Sequence, residues 1–273
     1  MEERKISEFN NLLKKKCVAM LAPSFIGEFE YPVIINQLKD LGFDKVVELT
    51  FGAKMVNREY HKKLKKSKKL LISSVCPGIV SIIKEKYPHL KNNLIKADSP
   101  MIAMAKICKD IYPKHKIVFI SPCNYKKQEA RGFIDYVIDY KELNELFKKF
   151  KIKKRKTKIL FDKFYNDYTK IYPLSGGLTK TAHLKGILKK SESLTIDGIK
   201  KVMKFLDNPD KNIKFLDVTF CIGGCIGGPC TSSISLKEKK QKVLNYSEKA
   251  KDEDIPETRK GLIEKAKGIK FSS

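Results

Sequence analysis

"IKFLDVTFCIGGCIGGP", residues 213–229, is an apolar, strand-like run that empties into a glycine-rich turn bearing two thiols, Cys221 and Cys225. Two other stretches are built the same way. "LLISSVCPGIV" (70–80) delivers Cys76, and "IVFISPCNYKKQE" (117–129) delivers Cys123. Each places a cysteine in a short Pro- or Gly-marked turn directly behind a strand, and such strand ends are where α/β proteins put their sites. Three turns carrying four thiols can meet at one soft metal centre, and four thiolates are the usual ligands of a [4Fe–4S] cluster. Four structural cysteines or a closed zinc site are the competing readings. Zinc favours paired C-x2-C ligands, however, and two of these thiols are isolated.

The chain has 273 residues, 42% of them hydrophobic. That suits one large domain or two tightly joined lobes around a real core and excludes a disordered protein. No apolar run approaches the length of a membrane span. The N-terminal "MEERKISEFNNLLKKK" has no apolar stretch of signal-peptide type, so the expected setting is cytoplasmic. Seven cysteines in such a chain argue for metal or redox chemistry rather than disulfides, and an odd count leaves at least one thiol unpaired.

Lys and Arg number 57 against 31 Asp and Glu, a net charge of +26. A nucleic-acid binder is one reading; solvated lysine-rich faces are another. The charges are mostly Lys and run throughout the chain, as in "HKKLKKSKK" (61–69), "FKKFKIKKRKTK" (147–158) and "LKEKKQK" (236–242). Lys lacks the planar fork that reads bases, so the pattern favours solvated faces over nucleic-acid binding. A third reading is docking of an acidic electron carrier, because opposite charge raises encounter rates.

Along the chain, "CVAMLA" (17–22) reads as a buried strand ending at Pro23, followed by a helix around 31–42 that stops at Gly42. "KVVEL" (45–49) is a second strand, 53–66 a surface-exposed helix, and "KLLISSV" (69–75) a third strand. A helix at 80–87 and an amphipathic one at 100–112 follow, the latter with Pro100 suited to its first turn. Then come the strand "KIVFIS" (116–121), a strand passing into a helix over 136–150, a basic linker at 151–158 and a Gly-rich turn opening a helix at 172–186. A strand edge and helix at 193–208 and the strand 213–220 complete the alternation. This pattern predicts an α/β fold: two lobes of mostly parallel, helix-flanked sheet with a metal cluster between them. The expected sub-lobes are 1–113 and 114–231 of a single domain, with 232–273 a polar helical tail free of site chemistry.

The three turns resemble the signature loops of the iron-only, or [FeFe], hydrogenases. The first has the family form T-S-C-C-P-G-W and reads here Ser73-Ser74-Val75-Cys76-Pro77-Gly78-Ile79. The second, M-P-C-x-x-K-x-x-E, is matched at Pro122, Cys123, Lys126 and Glu129. The third, M-A-C-P-G-G-C, reads Thr219-Phe220-Cys221-Ile222-Gly223-Gly224-Cys225. The flanks agree too: "LAPSF" (21–25), "YPHLKNNLIKADSP" (87–100), "GFIDYVIDYKELNELF" (132–147) and "SGGLTK" (175–180) each look like the family's corresponding segment. The resemblance covers roughly 17–230. The chain lacks the ferredoxin-like cysteine runs and the long C-terminal extension of the larger enzymes, and so looks like a minimal form of the active-site domain.

This resemblance implies an H-cluster, a [4Fe–4S] cubane joined through one thiolate to a two-iron unit carrying CO and CN⁻. Cys76, Cys123 and Cys221 would hold the cubane alone, and Cys225 would bridge to the two-iron unit. Gly223 and Gly224 would let the backbone curl so that both thiols face one cluster. Lys126 would bind one cyanide by a charge-assisted bond. Ser24, after Pro23, would bind the other through its hydroxyl or amide. The family's proton-donating cysteine is Val75 here, which cannot carry a proton, and Ser121 and Thr219 stand where the family has methionines. Glu129, Ser74 and Glu59 are candidate proton carriers in its place. Cys17 and Cys108 read as core residues; Cys230 is either a site neighbour or a packing residue. His61, His89, His115 and His183 are assigned nothing.

The implied activity is reversible conversion of protons and electrons to H2. The implied partners are H2, protons, maturation proteins and an acidic ferredoxin-like carrier, with no membrane and no nucleic acid. The rival readings are an H2 sensor of low turnover and an iron–sulfur scaffold carrying only the cubane.

Overall fold

The computed structural model describes residues 3–130, 132–156 and 159–272. Among these residues seven strands form two sheets, and every pairing within them is parallel. The strands are β1 (Cys17–Leu21), β2 (Lys45–Glu48), β3 (Leu71–Ile72), β4 (Lys116–Ser121), β5 (Tyr136–Asp139), β6 (Ser193–Asp197) and β7 (Phe215–Thr219). The larger sheet has the order β2-β1-β4-β5 and the smaller β3-β7-β6. Ala19 of β1 lies level with Val46 on one side and Val118 on the other.

The expected boundary at 113/114 does not divide the lobes. β4 and β5 join β1 and β2 in the larger sheet, while β3 pairs with β7, which in turn pairs with β6. Parallel strands need crossover connections, and those crossovers carry the chain from one sheet to the other and back.

β1 is buried on both faces, as a central parallel strand must be. Its side chains alternate between two cores. Val18 and Met20, with Ile117 and Phe119 of β4, pack under the helices Thr50–Lys66 and Pro100–Ile111. Ala19 and Leu21, with Val118 and Ile120, pack under the helices Val33–Leu41 and Tyr140–Lys149. In β7, Leu216 and Val218 face the helices Pro77–Lys86 and Ile199–Asp207. Phe215 faces the other way, into the core of the larger sheet, so the two sheets share apolar side chains.

The helix expected to lie exposed at 53–66 begins at Thr50 and buries Phe51, Ala53, Met55, Val56, Tyr60 and Leu64. Gly52 permits this: a Cβ there would stand 2.6 Å from the Pro100 carbonyl oxygen and 2.8 Å from Met104 Cβ. The third strand is only Leu71–Ile72, because beyond Ser73 the chain leaves the ladder for the first cysteine turn. The C-terminal tail has one helix, Leu236–Lys249, followed by irregular chain with two short turns. It is not idle, because its Tyr246 and Lys239 are buried. An N-terminal helix, Glu3–Leu13, lies outside the elements expected from the sequence. Of the basic linker, residues 151–156 are irregular, and 157–158 lie outside the described residues. No helix among the described residues is long and apolar enough to cross a membrane.

Candidate metal centre

β1, β3, β4 and β7 point their carboxyl ends at one cavity of about 110 Å³. Cys76, Cys123, Cys221 and Cys225 all line it, together with Pro23, Ser24, Val75 and Lys126. Cys225 has the most open side chain of the four. That open surface faces the cavity: protein closes around the thiol, and burial pushes its pKa up to about 12, with Cys76 and Cys123 adding to the rise. Cys221 is likewise pushed up to about 12 by burial and then by Cys76 and Cys123. The four thiols therefore sense one another electrostatically. Loading such a site with metal replaces thiol protons.

Each turn is held by local chemistry. Cys76 caps the helix Pro77–Lys86, with Pro77 in the first helical position. The Ser121 hydroxyl donates to the Cys123 carbonyl at 3.0 Å and accepts from the Cys123 amide at 3.1 Å. The Thr219 hydroxyl donates to the Cys221 carbonyl at 3.2 Å. The two residues that replace methionines of the resembled pattern thus brace the cysteines that follow them. Burial raises the Cys123 pKa, while the amides of Tyr125 and Lys126, aimed at its sulfur, oppose the rise. Amides directed at cluster sulfurs are one of the levers that set iron–sulfur potentials.

The third turn is knitted to the others through backbone. Gly223 and Gly224 have φ of +80° and +79°, a region open to glycine and costly for other residues. A Cβ on Gly224 would stand 2.5 Å from the Pro173 carbonyl oxygen, the same oxygen that accepts from the Cys225 amide at 2.8 Å. The Gly223 amide donates to Asp197 at 2.8 Å. A Cβ on Gly228 would stand 2.5 Å from the Pro122 carbonyl oxygen, which accepts from the Cys230 amide at 3.2 Å. The Cys230 thiol bonds Asn124 Oδ1 at 3.2 Å and is not on the cavity wall. It is a packing residue between the second and third turns. Cys17 and Cys108 are fully buried in the two cores, as expected.

Lys126 reaches the Val75 carbonyl at 3.3 Å and pairs with Glu129, one helical turn on. Its neighbour Lys127 is turned the other way and clamped by Asp139 at 2.9 Å and Glu142 at 2.8 Å. Those two carboxylates also form the capping box of the helix Tyr140–Lys149. Glu129 is therefore drawn to Lys126 and stands off the cavity wall. The Ser24 hydroxyl is engaged with Tyr140 at 2.6 Å, and the Tyr140 hydroxyl donates to the Ala22 carbonyl at 3.3 Å. The Ser24 amide, at the second position of the turn Pro23–Gly27, has no partner inside that turn. Of the candidate proton carriers, Ser74 donates to the Ile95 carbonyl at 2.6 Å and Glu59 pairs with Lys62 at 2.8 Å. Neither lines the cavity.

Three polar wall residues escaped the sequence reading, Tyr125 among them. Asp217 is 2% exposed and lines the cavity. Tyr172 also lines it, with a buried hydroxyl that has no hydrogen-bond partner. Asp217 lies in the quoted stretch 213–229 and Tyr172 at the start of the Gly-rich turn 172–186, but nothing in strand or turn periodicity shows that their side chains meet.

Among the described residues no group of three or more His, Cys, Asp or Glu closes on a single-ion centre. The four thiols stand around a cavity instead, the disposition a multi-atom cluster needs, and four thiolates are the donor set of a cubane. Substituting Gly224→Ala should destabilise the fold by about 1–3 kcal/mol and sharply lower iron bound per chain after reconstitution. Wild-type iron content and the wild-type spectrum of the reduced cluster in this variant would show that the close approach at Gly224 does not govern the site.

Comparison with known proteins agrees with this geometry. The family described as the C-terminal domain of the iron only hydrogenase large subunit matches residues 15–229. Iron hydrogenase 1 of Clostridium pasteurianum is 28% identical over 288 residues, covering 80% of this chain and 50% of that protein. The chain thus spans about half the length of the curated relative it matches. In fold, the chain is similar to an [FeFe]-hydrogenase whose structure addresses oxygen inactivation of the H cluster (TM-score 0.68, 16% identity, 94% of this chain and 90% of that one). It is similar also to a single-residue variant of the Chlamydomonas reinhardtii [FeFe]-hydrogenase (TM-score 0.65, 17% identity, 92% and 86%). With the matched segment spanning all three cysteine turns, the chain belongs to the iron-only hydrogenase family, in the C-terminal domain of its large subunit.

Proposed function

We propose that this chain holds an H-cluster and interconverts protons, electrons and H2. The observation that carries the reading is the meeting of four thiols from three turns at one cavity that Ser24 and Lys126 also line. In this reading Cys76, Cys123 and Cys221 hold the cubane, and Cys225 joins it to the two-iron unit. Soft thiolates suit low-valent iron. The bound group supplies electron storage and the iron at which the H–H bond is made or broken.

The chain's own residues orient and enclose that group. Lys126 offers an ammonium to an anionic cyanide, and Glu129 and the Val75 carbonyl hold it in place. Glu129 is then a positioning residue. Ser24 offers its amide to the second cyanide, its hydroxyl being engaged with Tyr140, and Pro23 starts the turn that presents it. Apolar Leu49, Met101 and Phe119 on the same wall keep water out, which strengthens every charge-assisted bond inside.

A second reading, a hydrogen sensor of low turnover, is favoured by one observation. Val75 lines the cavity where the resembled pattern has a proton-donating cysteine. A scaffold carrying only the cubane is disfavoured, because Cys225 and Lys126 also line the cavity and in this reading serve the two-iron unit. The proposal further implies an anaerobic, cytoplasmic protein that receives its two-iron unit from maturation proteins. Electrons would come directly to the cubane from an acidic ferredoxin-like carrier.

Infrared spectroscopy of anaerobically matured protein, first under H2 and then under inert gas, tests the function. Bound CO and CN⁻ bands that shift with the gas are expected. Protein with the cubane but no such bands would be a scaffold. Val75→Cys is expected to raise hydrogen turnover of matured protein by about a hundredfold; no gain would sink the proton-relay account of this position. The rate of reduction by an acidic ferredoxin should fall steeply with ionic strength. A salt-independent rate would rule out docking on the basic surface, whose excess stands at +26 for the chain.

A further inference from the structure

Among the described residues, one carboxyl lines the cavity wall, and it takes no part in binding the cluster. β7 alternates: Leu216 and Val218 turn to the helices of the smaller sheet, while Phe215 faces the larger sheet and Asp217 lines the cavity. Asp217 is 2% exposed, yet no cation pairs with it among the described residues. Its hydrogen bonds come from Thr179, whose amide and hydroxyl donate to the same oxygen, Oδ2, at 3.0 and 2.8 Å. Lys126 is the one Lys or Arg on the wall among the described residues, and it is engaged by Glu129 and the Val75 carbonyl.

The other titratable groups around Asp217 carry no positive charge. They are the four thiols and Tyr125 and Tyr172 on the wall, and Tyr60, which lies within electrostatic reach of Asp217. The buried Tyr172 hydroxyl lies within the electrostatic reach of both Asp217 and Cys225. Burial without a cation favours the protonated carboxyl: it raises the Asp217 pKa, and the two Thr179 donors only partly oppose the rise. Thr179 is half-buried and is not part of the cavity wall. Its hydroxyl therefore links the carboxyl to a less buried layer.

We propose, on the reading that the cavity holds an H-cluster, that Asp217 is the proton-holding residue of its wall and exchanges with the outside through the Thr179 hydroxyl. When H2 is formed, the O–H bond at Asp217 Oδ1 breaks and its proton enters the cavity. The Thr179 Oγ1 proton passes to Oδ2, and Oγ1 takes one from solvent. A half-turn of the carboxyl about Cβ–Cγ then carries the new proton to the cavity side and restores the starting state; net transfer is one proton inward with no change of electrons, and H2 uptake runs the same steps in reverse. Asp217 thus supplies protons to a cavity where Val75 cannot, by a slower route than a thiol at position 75 would give.

Asp217→Asn discriminates this from simple anchoring of the helix Gly177–Thr181. The amide keeps a carbonyl oxygen for both Thr179 donors and removes the proton. In metal-free protein near neutral pH, infrared difference spectra should show a deuterium-sensitive carboxylic-acid C=O band that D217N lacks. Absence of that band from the wild type overturns the proposal. In matured protein, D217N should keep its CO and CN⁻ bands and lose about a hundredfold of H/D exchange and turnover. Thr179→Val, of similar shape, should keep the carboxyl band and slow exchange; it carries the test if D217N does not fold. Unchanged exchange in both variants with intact cluster bands overturns the proposal alone. Matured wild type without CO and CN⁻ bands instead overturns the H-cluster reading beneath it.

Discussion

Backbone touching backbone at Gly224 and Gly228 is the constraint on which the rest of the site depends. The first of the three cysteine turns leaves the smaller sheet, the second the larger, and the third the smaller again. Sheet hydrogen bonding sets spacing within each sheet but not between them. Contacts between the turns must set it. The third turn lies directly on Pro173 and on Pro122, two positions where a single added carbon would sit 2.5 Å from a carbonyl oxygen. Those carbonyls accept from the Cys225 and Cys230 amides. Each such bond contributes only about 1 kcal/mol, but the short approach fixes where a sulfur can stand.

Electrostatics follows from that enclosure. The wall is mostly apolar, so burial raises the pKa of Cys123, Cys221 and Cys225 and of the Asp217 carboxyl, which has no cation beside it. Charge is admitted at Lys126, where it is countered at once by Glu129. The adjacent Lys127 is held off by the capping carboxylates of the next helix. Two neighbouring lysines thus have different fates, decided by which carboxylates the fold brings near. A similar economy operates beside the site, where Lys170 and Glu48 form a fully buried pair. Lys170 also donates to the Tyr246 hydroxyl at 2.7 Å. Such a pair is retained only when its remaining donors and acceptors are satisfied, and here the C-terminal helix supplies the partner. The tail is part of the framework, although its composition reads as a polar appendage.

Much of the framework was legible without coordinates. The continuous apolar run at 17–22, Gly42 as a helix stop and Pro100 as a helix start act locally, and the structure has them where expected. The cysteine turns were legible for the same reason, since Pro, Gly and Cys mark a turn by their own chemistry. The burial of the helix Thr50–Lys66 was not, because its lysines mask an apolar face whose partner is some fifty residues away. Nor was the lobe boundary, which a linear reading put at 113/114 and crossovers erased.

What this sequence determines by itself is the kind of elements and the kind of ligands: parallel strands, flanking helices, and thiols at strand ends. These depend on side-chain periodicity and on backbone freedom over a few residues. Tertiary structure alone decided which groups share the cavity. It turned the Ser24 hydroxyl toward Tyr140, drew Glu129 off the wall to Lys126, and set Asp217 and Tyr172 beside the thiols. The physical reason is range. Hydrogen bonds, ion pairs and burial act over a few ångströms in space, and the partners that satisfy them here come from strands and turns far apart along the chain.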